Sequence, residues 1–362
     1  MGDSTGKTRV LIPGVCHPIA SETLARLRYA SEDTLYIVGV DLEERGDDHE
    51  GVDAFYFVPP ATSPHYVRTL LDVCRKERIE LVVPWSDLES AAISEAAGDF
   101  GSAGVSTLCG PAETVRLALD KASTLEALRE HGVPVPAFAR ASTSAEVERA
   151  ARERGYPEST VVVKPCMSSG CMGLWFLEPQ ANMQQRCHGP GQRATLPAFV
   201  SMMREYERGG REVPEYVAME FLPGDDYSVD ALASKGEAVY VVPRRRIRAT
   251  EGISRVGEIA PNAEVRSMVA RVVAALGLHL NVNVQLKYSE AAGGHPLVYE
   301  VNPRLSGSIV ANDAAGAALF FYGIQLALGR PIPPAQDVRL QRTRMFRRWV
   351  GRYTHEDEWF TP

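Results

Sequence analysis

Three short apolar runs separated by helical stretches constrain this chain most. RVLIPGV (9–15), TLYIVGVD (34–41) and ELVVPWSD (80–87) read as strands. Between them, SETLARLRYA (21–30) has helical spacing, and HYVRTLLDVCRKERI (65–79) sets Val67, Leu70, Leu71, Val73 and Cys74 on a helix. Strands that alternate with helices pair in parallel, because each return crossing is made by a helix on the sheet face. Residues 8–109 are therefore expected to form an α/β unit. Such a sheet often binds ligands beyond the carboxyl ends of its strands, where Asp41, Ser86 and Asp87 stand. The loop after the first strand, GVCHPIAS, lacks the Gly-x-Gly-x-x-Gly spacing of a dinucleotide site. A scaffold sheet lending loops to a shared site is expected rather than an NAD domain.

The chain has 362 residues, which suggests two or three packed units. Its net charge of −7 argues against nucleic acid as a partner, since phosphate binding wants a basic surface. No Cys-x-x-Cys pair or zinc-like Cys/His spacing occurs among the six cysteines, which read as free thiols in a reducing cytoplasm. GDSTGKT near the start imitates a phosphate-binding loop but is one residue short, and no strand precedes it. Gly6 stands where a myristoylation signal needs Ser or Thr. With no apolar run of membrane-spanning length and no signal peptide, the expected location is cytoplasmic, without a membrane partner.

Further along, AETVRLALDKASTLEALRE (112–130) reads as one helix, and HGVPVPAF breaks it. The expected units are 1–111, a linking helix 112–134, 135–225, 226–334 and a tail 335–362. The second unit should hold helix 144–154, strand 160–165, strand 174–177, a loop 178–195, helix 196–208 and strand 216–222. The third should hold strands 227–233, 238–246, 281–289 and 296–302, with helices 263–278 and 313–328. The tail carries no assignable pattern.

Three stretches carry chemistry. In TVVVKPCMSSGCMGL (160–174) a strand ends in Lys164, then Ser168, Ser169, Gly170 and Gly173 make a small-residue turn. Such turns cradle phosphates through backbone N–H groups, though a plain hairpin would look alike. In YVAMEFLPGDDYSVDA (216–231) a strand ends at Glu220 and resumes after two aspartates; a solvated acidic turn would read the same way. In LVYEVNPRLSGS (297–308), Glu300, Asn302 and Arg304 fall on one side of an extended chain. A carboxylate and an amide oxygen suit Mg²⁺, with Gln285 on the preceding strand as a further oxygen. Arg304 can hold a phosphate in bidentate fashion.

Taken in order, strand–Lys–Gly-rich turn, acidic hinge, Gln-bearing strand and Glu-x-Asn-x-x-x-Gly resemble the ATP-grasp superfamily. The likeness is to its carbamoyl-phosphate-synthetase-like carboxylate–amine ligases, over about residues 8–330. It implies an ATP-grasp fold of α/β class with α+β lobes, headed by a Rossmann-like pre-ATP-grasp domain. It implies ATP phosphate contacts from Lys121, Lys164 and the turn Ser168–Gly173. Glu220, Phe221 and Leu222 would form the adenine hinge, Phe221 and Leu222 through backbone groups, and Asp226 would hold the ribose. Gln285, Glu300 and Asn302 would bind Mg²⁺ or Mn²⁺, and Arg304 would sit near the transferred phosphate. The turn departs from the family in having Ser168 for Gly and Met172 for a basic residue.

The activity so implied converts a carboxylate to an acyl phosphate, then joins it to an amine. Alternatives are an ATP-grasp phosphotransferase, an enzyme activating bicarbonate or another small acid, and a non-catalytic nucleotide-binding module. A full carbamoyl phosphate synthetase would need two such units. Arg244, Arg246 and Arg255, in VVPRRRIRATEGISRVGE (241–258), are candidates for holding the substrate's carboxylate or a phosphate; a solvated basic strand end is the plain alternative. Loops near His17, Ser86 and Asp87 are expected to help select substrates. The resemblance also admits a homodimer.

Overall fold

The computed structural model describes residues 6–42, 51–168, 170–180, 191–250 and 252–348. The first unit contains β1 (Thr8–Pro13), α1 (Ala20–Ala30), β2 (Leu35–Asp41), β3 (Ala54–Phe57), α2 (Tyr66–Glu77), β4 (Leu81–Val82), α3 (Asp87–Glu95), α4 (Ala97–Ser102) and β5 (Ser106–Thr107). Its five strands lie in the order β3-β2-β1-β4-β5, all parallel. β1 and β2 are apolar almost throughout because helices cover both faces. The expected strand 80–87 keeps only Leu81–Val82 as ladder. Ser86 instead caps α3, accepting from Glu89 N while the Glu89 carboxylate returns to the Ser86 amide.

Two helices follow where one was expected: α5 (Ala112–Leu119) and α6 (Lys121–Glu130). Asp120 leaves the helical conformation, and its carboxylate accepts from Ser123 N at 2.9 Å. An N-cap aspartate inside an apolar periodic run is a stop and a new start.

The second sheet comes from β6 (Phe138–Ala141), β7 (Val161–Pro165), β8 (Trp175–Leu177), β9 (Gln192–Ala194) and β10 (Tyr216–Glu220), in the order β6-β10-β7-β8-β9. α7 (Ser144–Glu153) and α8 (Leu196–Arg208) pack on it through Val147, Phe199 and Met203. β9 falls within the expected loop 178–195, of which 181–190 lies outside the described residues.

The third sheet is antiparallel: β11 (Asp226–Ser234), β12 (Glu237–Val242), β13 (Arg244–Thr250), β14 (Ile253–Ile259), β15 (Leu280–Ser289), β16 (His295–Asn302) and β17 (Thr343–Phe346). α9 (Ala263–Leu276) covers one face through Val265, Val269 and Val272. α10 (Val310–Ala314) and α11 (Leu319–Ala327) replace the single helix expected over 313–328. Pro243, with no N–H to give a ladder, splits the expected strand 238–246 into β12 and β13. β14 had no strong period-2 signal, and β17 recruits part of the unassigned tail.

One apolar core joins the first and third sheets. Val10, Ile12, Leu35 and Ile37 pack with Leu232, Leu319 and Phe320. The second sheet has its own core. A cleft runs between these bodies.

Candidate active site

The cleft, of about 600 Å³, is lined by all three sheets. Its middle is set by β7 and β16. Lys164 is the penultimate residue of β7, and its Nζ donates to Glu300 Oε2 at 3.0 Å and to the Tyr299 carbonyl at 3.2 Å. Lys164 is 6% exposed, so this charge pair is screened little by water. Burial alone would raise the Glu300 pKa, but Lys164 and Lys121 outweigh it and hold it at about 2.

Lys121 arrives from α6, whose first residue it is. The Asp120 break turns it inward, and its amide donates to the Cys166 carbonyl at 3.0 Å. Its Nζ hydrogen-bonds the Ser168 carbonyl and lies 3.3 Å from Ser168 Oγ. Burial lowers its pKa, and the neighbouring Lys164 adds to this while Glu300 opposes it. The turn after β7 thus sits over two lysines. Gly170 and Gly173 both have left-handed φ, +62° and +71°, and both Gly170 and Ser168 line the cleft. Ser169 lies outside the described residues.

At one end of the cleft β10 runs into the hinge. Glu220 is tied to Ala137 in both directions: its amide donates to the Ala137 carbonyl at 3.0 Å, and its Oε1 accepts from Ala137 N at 2.7 Å. Phe221 meets Phe176 edge-on at 6.0 Å. Lys287 Nζ donates to the Leu222 carbonyl at 3.4 Å and stands 5.7 Å from the Phe221 ring centre. Phe176 and Phe221 give this end an apolar wall, beside which the Leu222 carbonyl supplies a backbone acceptor.

Asp226 sits in an unexpected network. Arg246 Nη2 donates to its Oδ2 at 2.7 Å, and the Tyr299 hydroxyl stands 3.1 Å from its Oδ1. The same hydroxyl is 2.9 Å from Gln285 Oε1 and also accepts from Arg246. Both Asp226 oxygens are therefore engaged by protein groups, where a ribose was expected.

The three candidate arginines part company. Arg246 faces the cleft. Arg244 also reaches its wall but is 1% exposed, donating to Asp230, Ser228, Ser254 and Ser306 at 3.1–3.2 Å. It is a structural cation in a polar layer. Arg255 is not among the lining residues, although its neighbours Ile253 and Ser254 are.

Arg304 crosses between units. Its Nε donates to Asp87 Oδ1, at the start of α3, at 2.7 Å, and its Nη2 to Asn302 Oδ1 at 3.3 Å. The donor set expected for a metal fits one. Gln285 and Glu300 are register partners on β15 and β16, and Asn302 lies two residues on, on the same face. No group of three or more His, Cys, Asp or Glu side chains disposed for a metal occurs among the described residues. One ionised carboxylate with amide oxygens is what Mg²⁺ accepts when nucleotide phosphates supply the remaining ligands.

Tyr299 and Lys287 were not singled out in the sequence. Tyr299 lies between Val298 and Glu300 in the strand expected over 296–302, and Lys287 lies within the one expected over 281–289. No local signal distinguishes either; only the pairing of β11, β15 and β16 brings them to Asp226 and the hinge.

Comparison with known proteins agrees with this geometry. Residues 212–350 match the family model described as ATP-grasp in the biosynthetic pathway with Ter operon, and residues 22–108 match the PylC-like N-terminal domain. The chain is 24% identical over 299 residues to the carbamoyl phosphate synthase large chain of Pyrobaculum aerophilum, covering 80% of this chain and 27% of that one. It is 27% identical over 207 residues to protein y4rH of Sinorhizobium fredii, covering 54% and 38%. The chain therefore spans well under half the length of these relatives. Among solved structures, Campylobacter jejuni biotin carboxylase superposes with a TM-score of 0.68 at 15% identity, over 92% of this chain and 73% of that one. The L-amino acid ligase of Bacillus licheniformis superposes with a TM-score of 0.63 at 16% identity, over 89% and 74%. Residues 212–350 thus match an ATP-grasp family model and 22–108 a PylC-like N-terminal one, and the chain is similar to carbamoyl phosphate synthase large chains and shares its fold with biotin carboxylase and L-amino acid ligase.

Proposed function

We propose that the cleft binds ATP and uses it to activate a carboxylate as an acyl phosphate, which an amine then converts to an amide. The observation that carries this is the convergence of Lys121, Lys164 and Arg246 around one ionised carboxylate, Glu300, beneath a glycine-bearing turn. That arrangement suits a polyphosphate bound with a divalent cation better than any neutral ligand.

In this reading the hinge takes the adenine, between Phe176 and Phe221 and the backbone of 220–222. Lys121 and Lys164 hold phosphate oxygens and neutralise charge as the γ-phosphoryl group leaves ADP. The substrate's carboxylate oxygen attacks the γ-phosphorus, and the bond to the β-phosphate oxygen breaks. Arg304, fixed by Asp87, orients the incoming carboxylate and later the acyl phosphate. The turn over Lys121 excludes water, which would otherwise hydrolyse that intermediate. The amine then attacks the acyl carbon, phosphate departs, and the amine loses its proton. Mg²⁺ held by Glu300 and Gln285, with Asn302 behind, would supply charge neutralisation of the phosphates.

Asp226 is assigned to positioning Arg246 and Tyr299, in place of the ribose contact expected from the sequence. The test is phosphate release from Mg·ATP across a panel of acids and amines, singly and in pairs. Release that needs both partners supports the ligase. Release with bicarbonate alone, or ADP formed without free phosphate, would replace it with a small-acid activating enzyme or a kinase.

A further inference from the structure

β16 is irregular where it passes the candidate metal ligands. Against Gln285 and Leu286 of β15 it sets Glu300 and Val298, so Tyr299 between them has no register partner. That is a β-bulge, which places two residues opposite one and re-aims a side chain. Tyr299 and Glu300, neighbours in the chain, therefore both line the cleft, where regular alternation would send one of them away. The bulge carries the Tyr299 hydroxyl to 2.9 Å from Gln285 Oε1 and 3.1 Å from Asp226 Oδ1.

Gln285 has a choice that a carboxylate does not have. Its amide can present oxygen or nitrogen, and only the oxygen suits Mg²⁺. The partners decide which. The Asp230 carboxylate can only accept, and it already takes Arg244 and Asn312. Asn283 therefore presents Nδ2 to it, at 2.8 Å, which leaves Asn283 Oδ1 toward Gln285. Gln285 answers with Nε2 at 3.5 Å, and its Oε1 is left to the Tyr299 hydroxyl. From the other end Arg246 donates into that hydroxyl oxygen, so the single hydroxyl proton is turned outward, to Gln285 or Asp226. Each link has a direction, and both ends of the chain turn the Gln285 oxygen the same way.

We propose that Tyr299 is a positioning residue for the metal: with Asn283 it locks the Gln285 amide so that its oxygen faces the cation beside Glu300. This rests on the metal reading above and extends it to a residue that is not itself a ligand. Hydrogen-bonded groups behind a metal ligand fix its orientation and, through it, the affinity of the site.

The experiment measures Mn²⁺ binding to the full chain with ADP present, by electron paramagnetic resonance, and ADP binding in EDTA, by calorimetry. Tyr299→Phe keeps the ring and removes the hydroxyl. It should weaken Mn²⁺ binding about 10-fold and leave ADP binding in EDTA unchanged. In Gln285→Glu both carboxylate oxygens can ligate, so there is no wrong orientation to prevent. Adding Tyr299→Phe to Gln285→Glu should therefore cost less than about twofold. Asn283→Leu cuts the other end of the chain and should weaken Mn²⁺ binding by a similar factor, so the question stays decidable if Tyr299→Phe misfolds. The proposal is overturned if either variant, well folded, binds Mn²⁺ as wild type does. It is also overturned if the Tyr299→Phe loss is as large in the Gln285→Glu background, or if ADP binding in EDTA falls by the same factor, which would mark a merely structural role. Any of these outcomes with Mn²⁺ still bound by wild type keeps the metal reading. Wild type that binds ADP but no Mn²⁺ removes both.

Discussion

Glu300 carries more of the site than any other residue, because two lysines are arranged around its charge. Its pKa of about 2 lies below the ordinary 4.5, so the folded state holds fewer protons than the unfolded chain between those values. The stabilisation is present above pH 4.5 and is lost as pH falls toward 2. Denaturant unfolding at pH 6 and pH 3 should show wild type losing about 1–3 kcal/mol more than Glu300→Gln. Equal losses would mean that the lysines do not hold this carboxylate. Glu300→Gln should also lower kcat at least about 100-fold, as loss of charged groups at a phosphoryl-transfer site does. The residues of this jaw were legible in the sequence, since strand ends reveal themselves by a polar residue after an apolar run. Tyr299 was not, because its role depends on a pairing partner 14 residues away.

At the scale of elements, the break at Asp120 is the main departure from expectation. Helical periodicity ran through it, but Asp120 bridges to Met167, the Lys121 amide goes to the Cys166 carbonyl, and the Asp120 side chain caps Ser123 N to start α6. That break is what delivers Lys121 to the cleft, so the element boundary is itself part of the site. The signal was present in ALDKAST, an Asp three residues before Ser, but capping preference is weaker evidence than a long apolar period. The turn after β7 gives a paired test. A Cβ on Gly173 would lie 2.7 Å from Pro165 Cγ at φ +71°, whereas one on Gly170 at φ +62° meets nothing within 4 Å among the described residues. Gly170→Ala should cost about 1 kcal/mol from backbone strain alone, and Gly173→Ala about 2–3 kcal/mol. Thermal melts of the two variants check the order; a larger loss at Gly170 would contradict this geometry.

The whole molecule is two bodies around a cleft, and the cores say which units move together. Phe320, 1% exposed, belongs to the core shared by the first and third sheets. Phe320→Ala should destabilise both sheets together by about 3–5 kcal/mol in denaturant unfolding. Separate transitions for the two sheets would contradict the shared core. The sequence indicated three α/β units but not which of them fuse, because fusion depends on apolar faces meeting at long range. Arg304 and Asp87 span that union from 217 residues apart. Asp87→Asn should therefore reduce kcat about tenfold with the KM for Mg·ATP unchanged, as expected of a positioning residue in steady-state kinetics. The most direct test of the account follows oxygen. An acid substrate labelled with ¹⁸O in its carboxylate is turned over with Mg·ATP and an amine, and the released phosphate is weighed by mass spectrometry. Acyl phosphate formation requires one labelled oxygen in each phosphate released. Unlabelled phosphate accompanying amide formation would contradict the account.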